Sequence, residues 1–243
     1  SAKFIGILIK TEKEISSMSN LSFSKLGGQC LIAGGIISFI PFVFQILLGG
    51  PPPDNTNVFS FFANTTAEGG SLTILYIIMG ILGVILTMYG ISNLNSFLQE
   101  NEKSPILSLG TFLFLVGQFS LVIAWSIDPA ITIGRETANI SDMTIRQMSM
   151  FMLLMPIAFL GGAIVSMELA KRAFANPTYM KISAIVFVIV SAVSVYTLFK
   201  LVDVSSHNSE STVLPLFACI SIAQLVSLIW NIMVGSKMMK TNS

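Results

Sequence analysis

Charge is scarce in this chain: Asp, Glu, Lys and Arg make up only 10% of its 243 residues, where a soluble domain carries about a quarter. That scarcity excludes a sizeable water-facing domain. One histidine, His207, and two cysteines, Cys30 and Cys219, leave the usual His/Cys metal sets without ligands. The cysteines thread to different depths, Cys30 near one end of the first apolar run and Cys219 in the opposite half of the last. A disulfide needs Cα atoms within about 7 Å, so both read as small apolar residues. No Lys/Arg-rich run is interleaved with aromatics, so nucleic acid is not an expected partner. There is no phosphate-binding loop, no H-E-x-x-H and no G-x-S-x-G. The chain is therefore expected not to be an enzyme, and no cofactor is expected.

What is present is apolar: 53% hydrophobic residues at a mean hydropathy of +0.81, gathered into long runs. A helix crosses the hydrocarbon core with about 20 residues at 1.5 Å rise each. Six stretches qualify, at 28–48, 72–94, 106–127, 150–170, 182–201 and 213–234. The fold class is thus all-α, a polytopic bundle of six transmembrane helices. Residues 1–27 form an N-terminal cytoplasmic or interfacial segment, 28–235 the membrane domain and 236–243 a cytoplasmic tail. The patch Lys3–Lys10 suits the headgroup region or a neighbour. Its apolar core, Phe4–Ile9, is too short for a cleavable signal, and Ser1 is expected to follow a removed initiator Met.

Small residues recur along several spans. Ala158, Gly162, Ser166 and Ala170 stand at every fourth position of the fourth span, and Gly80, Gly83, Thr87 and Gly90 line the second. Gly110, Gly117 and Ala124 mark the third, and Gly27, Gly34 and Ser38 the first. Lipid is as apolar as leucine, so membrane helices associate through close backbone approach along such stripes. Pro41 is expected to break the first span, Pro156 to bend the fourth, and Pro215 to sit in the first turn of the sixth. Between spans, the Pro/Gly-rich stretch 49–70 holds an apolar island, Val58–Phe62. Residues 128–149 read as a long loop that opens with the turn signal Asp128-Pro129. A helix is expected to start near its end, with Ser141 as N-cap and Asp142 in the first turn.

With both termini cytoplasmic, the inner segments hold Lys3, Lys10, Lys13, Lys25, Lys103, Lys171, Arg172, Lys181, Lys237 and Lys240. The outer loops hold only Arg135, Arg146 and Lys200. That bias fixes the orientation by the positive-inside rule. Two glycosylation sequons, Asn64-Thr65-Thr66 and Asn139-Ile140-Ser141, fall outside in the same scheme.

An ionisable group deep in a membrane is a functional candidate by default, and none lies near the centre of a span. Glu168 comes closest, either as a proton or cation site or as the i,i+4 partner of Arg172. Of the polar residues Gln45, Gln118, Gln224 and Asn231, Gln118 sits near mid-membrane. It makes an interhelical hydrogen bond or lines a solute pathway. Met143, Met148, Met150, Met152 and Met155 cluster at the start of the fourth span. Met148, Met152 and Met155 are candidate Cu(I) ligands or flexible gap-fillers. His207, with Asp203, Ser205, Ser206 and Glu210 around it, reads as a solvated loop residue.

The layout resembles a family of prokaryotic six-helix membrane proteins known only as a domain of unknown function. The shared features are a Lys-x-Gly-Gly start to the first span (Lys25 to Gly28), a long outer loop before the second, a glycine within the third, and Gly161-Gly162 in the fourth. The resemblance covers about residues 25–200 and implies the fold while leaving the activity open.

Three functions follow as expectations, all in the cell (plasma) membrane. The leading one is a non-catalytic accessory subunit, with lipid and other integral membrane subunits as partners. It rests on more small-residue stripes than one bundle needs and on exposed Phe59, Phe61 and Phe62. The second is a small-solute transporter or channel using Gln118, Gln45, Asn231 and backbone freed at Pro41 and Pro156. A cavity lined by those groups would support it, and a closely packed centre would oppose it. The third is a membrane-embedded enzyme or copper-handling protein built on the methionines and Glu168. The orientation is checked by alkaline phosphatase fusions. A fusion after Lys103 is expected to be inactive and one after Arg135 active, and the reverse pattern would invert the topology.

Overall fold

Lipid offers no hydrogen bonds to a spanning chain, so its backbone must satisfy itself as helix or closed barrel. The structure, a computed structural model, describes residues 23–53, 56–136, 138–203 and 210–240, and every regular element among them is helical. In chain order these are α1 (Phe23–Gly49), α2 (Val58–Glu68), α3 (Gly70–Asn101), α4 (Pro105–Trp125), α5 (Asp128–Ile133), α6 (Ile140–Lys171), α7 (Pro177–Asp203) and α8 (Glu210–Lys240). The six long ones are each long and apolar enough to cross a membrane. The protein is an all-α, multi-pass membrane protein. Lys3, Lys10, Lys13, the patch around them, His207 with Ser205 and Ser206, and the side chains of Gln45, Asp203 and Glu210 lie outside the described residues.

Four local expectations are corrected. Pro41 does not break the first span, for α1 runs through it to Gly49; a break inside lipid would strand more backbone groups than the single one a proline frees. The stretch 128–149 is mostly helix, formed by α5 and the first turns of α6. The N-cap of α6 is Asn139, whose side chain accepts from the Asp142 amide. Ser141 instead meets the Ser60 hydroxyl at 3.1 Å. The island 58–62 is not exposed: it opens α2, capped by Asn57, and Val58 and Phe59 are buried. Phe62 packs on Phe217 with ring centroids 5.0 Å apart, and Phe61 is half-buried.

Pro156 lies inside an unbroken α6. A proline there removes the hydrogen bond to the carbonyl four residues back, that of Met152. Ser194 on α7 donates to that carbonyl at 2.9 Å, and Ser191 donates to the Pro156 carbonyl at 3.2 Å. The Ser194 hydroxyl from the neighbouring helix replaces the donor that the proline removes.

The long helices form a ring, α1–α3–α4–α6–α7–α8 and back to α1, with unequal joints. α1 packs closely on α3 and α8, and α6 packs closely on α4 and α7. The close joints are made by small residues. A Cβ added to Gly83 would lie 2.5 Å from the Ser38 amide nitrogen, and one on Gly28 would lie 2.5 Å from the Gly235 carbonyl. Thr87 meets Gly34, and Gly90 meets Gly27 and Leu31. In the other group Gly117 faces the Ala158 backbone and Gly161 the Phe114 backbone. Gly162 lies under Phe114 and Phe187, Ser166 is buried and bonds to the Gly162 carbonyl at 2.7 Å, and Ala170 is buried. The result is two three-helix bundles, α8–α1–α3 and α4–α6–α7, which meet along α3–α4 and α7–α8.

At Gly117 and Gly161 a methyl group has no room, because the opposing atoms are backbone. Gly117→Ala and Gly161→Ala are each expected to cost about 1–3 kcal/mol, the usual cost of overpacking. The lipid-facing Leu109→Ala should cost less. Thermal unfolding in detergent that ranked Leu109→Ala as the most damaging would contradict the packing.

Candidate functional site: a cavity between two helix bundles

Where the bundles face each other, glycine contacts give way to large side chains around empty space. A chamber of about 490 Å³ opens towards the end that carries α2 and α5. Beneath it lies a narrower one of about 90 Å³. Phe42, Tyr76, Trp125, Phe151 and Gln224 belong to the walls of both, so the two adjoin. Gly35 of α1 and Gly80 of α3 line the narrow chamber, and their lack of side chains makes room for Asn231 and for the Trp125 ring, which lie against them.

Most of the wall is apolar or aromatic, and the polar groups of the narrow chamber are few and neutral. Gln118 from α4 and Gln224 and Asn231 from α8 line the narrow chamber. Gln118, near mid-membrane in the sequence, reaches the cavity wall. Asn231 is buried against Gly35, and Trp230 beside it is buried with no partner for its indole N–H among the described residues. The wide chamber adds Thr65, Thr66, Thr73, Thr144, Gln147 and Asp128.

Asp128 is the site residue that sequence reasoning missed. Asp128-Pro129 carries a turn signal, yet Asp128 opens α5 one turn beyond Trp125 and is only 6% exposed. The Gln147 amide donates to its Oδ1 at 2.5 Å. The available signal was its place immediately after an apolar run, with no basic residue before Arg135.

Glu168 lies away from the cavity, in a polar knot at the end of the bundle that holds the α3–α4 connection. Its Oε2 accepts from the Ser104 hydroxyl at 2.9 Å, and its Oε1 is 2.7 Å from the Lys171 ammonium. The expected pair with Arg172 is not made. Arg172 instead donates to the carbonyls of Leu98 and Glu102 at the end of α3, at 3.1 and 3.0 Å. Gln99 closes the same turn, accepting from the Ser104 amide and donating to the Ser104 carbonyl. Among the methionines, Met148 and Met155 reach the cavity wall, whereas Met152 is buried in the packing between α6 and α7. Among the described residues no three His, Cys, Asp or Glu gather into a metal-sized group.

No family model, curated protein or solved structure matches this chain.

The knot makes a specific energetic claim. Ser104 caps α4 by accepting from the Leu107 amide while donating to Glu168. A double-mutant cycle of Ser104→Ala and Glu168→Gln should therefore show coupling of about 0.5–3 kcal/mol in thermal stability. Simple additivity would mean that the two groups do not meet.

Proposed function

We propose that the protein is a carrier for a small, largely apolar solute that occupies the cavity between the two bundles. The observation that carries this reading is the wall itself: three amides, Gln118, Gln224 and Asn231, set among aromatic rings in the middle of a six-span protein. Ligand sites are typically of about 300–1,000 Å³, mostly apolar, with a few placed polar groups, and the wide chamber, at about 490 Å³, is of that size. Each bundle is locked by backbone-level contacts, while the two meet largely through side chains. That division suits rocking of one bundle against the other about a fixed site, as in alternating access. The described basic residues Lys25, Lys103, Lys171, Arg172, Lys181, Lys237 and Lys240 gather at the end opposite the wide chamber. In a cell membrane that end faces the cytoplasm and the wide chamber opens outward.

The accessory-subunit reading relied on spare small-residue stripes and exposed phenylalanines. The eight stripe residues Ala158, Gly162, Ser166, Ala170, Gly80, Gly83, Thr87 and Gly90 find neighbours inside the chain, and Phe59 is buried. The carrier reading is preferred for that reason.

Thiol accessibility tests it. With Cys30 and Cys219 replaced by Ala, single Gln118→Cys, Gln224→Cys and Asn231→Cys variants in vesicles are expected to react with a small water-soluble thiol reagent. A Val190→Cys control, at a buried position away from both chambers, should react more slowly. Protection of all three, in protein that elutes as a single species, would mean a dry packed centre and would overturn the carrier.

A further inference from the structure

The wide chamber holds a carboxylate whose charge nothing in the described structure balances. Asp128 is 6% exposed. Its carboxylate accepts from the neutral Gln147 amide, and no Lys, Arg or His is among the described residues that line the chamber. Buried charges are ordinarily paired or bound to a metal, because desolvation is costly. A divalent cation would need about six or more oxygen ligands for calcium, or a near-ideal octahedral set for magnesium, and Asp128 is the one carboxylate among the described residues that line the chamber. The remaining walls are of another kind. Phe42, Phe62, Tyr76, Trp125, Phe151 and Phe217 line the same chamber, and aromatic faces attract cations through their quadrupole, most strongly when desolvated.

From this combination we infer that the wide chamber binds an organic ammonium ion, its positive head at Asp128 among the rings and its apolar body directed towards Gln224. The inference rests on the carrier reading, since it names the class of solute that the cavity takes. Asp128 sets the charge preference, the rings the preference for a bulky or alkylated ammonium over a hydrated metal ion, and Gln147 holds the carboxylate in place.

The chain contains two tryptophans, Trp125 and Trp230, and both line the cavity, so intrinsic fluorescence reports occupancy directly. Purified protein in a neutral detergent is titrated with benzyltrimethylammonium, with its uncharged near-isostere benzyldimethylamine N-oxide, and with phenylmethanesulfonate. The Trp230→Phe variant isolates the Trp125 signal at the mouth. The expected result is a saturable change for the cation, with the other two probes much weaker. In Asp128→Asn the cation should lose about thirtyfold or more in affinity, the loss that follows removal of a desolvated charge partner, and should bind no better than the N-oxide. If Asp128→Asn does not fold, selectivity among the three probes in the native chain decides. Equal binding of cation and N-oxide to the native chain would overturn the ammonium inference and leave the carrier reading standing. If no probe changes the emission while Gln118→Cys still reacts with thiol reagent, the ammonium inference alone falls. If that thiol is protected as well, both fall.

Discussion

Everything in this fold follows from one property of lipid: it gives apolar side chains nothing to gain by leaving it for one another. In water, the exposed Leu75, Ile78, Leu109, Phe112 and Phe119 would be a liability; in a bilayer they are the solvent-compatible surface. Helix association must then come from dispersion at short range, which requires side chains small enough for backbones to approach. The pairs Gly34–Thr87, Gly83–Ser38, Gly28–Gly235, Gly117–Ala158 and Gly161–Phe114 are the places where the chain achieves this. They are distributed unevenly. Each belongs to α8–α1–α3 or to α4–α6–α7, and that distribution divides a chain of six similar helices into two closely packed groups.

Polar groups mark the places where the backbone would otherwise be left unsatisfied. Ser194 answers the carbonyl freed by Pro156. Asn57, Ser104 and Asn139 satisfy the first amides of α2, α4 and α6. Arg172 closes the carbonyl end of α3, where a cation also complements the helix dipole. Glu168 is tied into the same knot. An intramembrane carboxylate is a functional candidate only while its partners are unknown, and here a serine and a lysine account for both of its oxygens.

Architecture was legible in the sequence because the bilayer imposes it over windows of about 20 residues, far longer than any local ambiguity. The stripes were legible too, since glycine spacing is a one-dimensional record of a helix face. What could not be read was the partner of each stripe. Gly161 and Gly110 are fifty-one positions apart in the chain, and only the ring order brings them together. The same limit hid the site. Gln118, Gln224 and Asn231 were each visible as polar residues in apolar runs, but their convergence on one cavity depends on how α4 and α8 face each other across it. Asp128 was concealed differently, because Asp-Pro after an apolar run is an ordinary turn signal. Its burial comes from α2, α3 and α6 around α5, and its hydrogen-bond partner Gln147 stands nineteen positions later. A break at Pro41 follows from the rules of soluble helices, where a proline ends the element; the cost of broken backbone in lipid keeps α1 continuous through it.

The cavity and the tight joints are consequences of the same scarcity. A short membrane chain has few positions at which backbones can approach, and it has used them within each bundle. Where the bundles meet, large rings hold the helices apart, and space remains between them. That space is lined by amides in the narrow chamber, whose burial without full partners is costly in an empty protein, and by a carboxylate in the wide one, where the cost is greater still. Hydrophobic residues of similar volume at positions 118, 128, 224 and 231 would remove that cost without changing the packing. The polar groups work against stability where they stand, so their place in the fold is best explained by what they would bind.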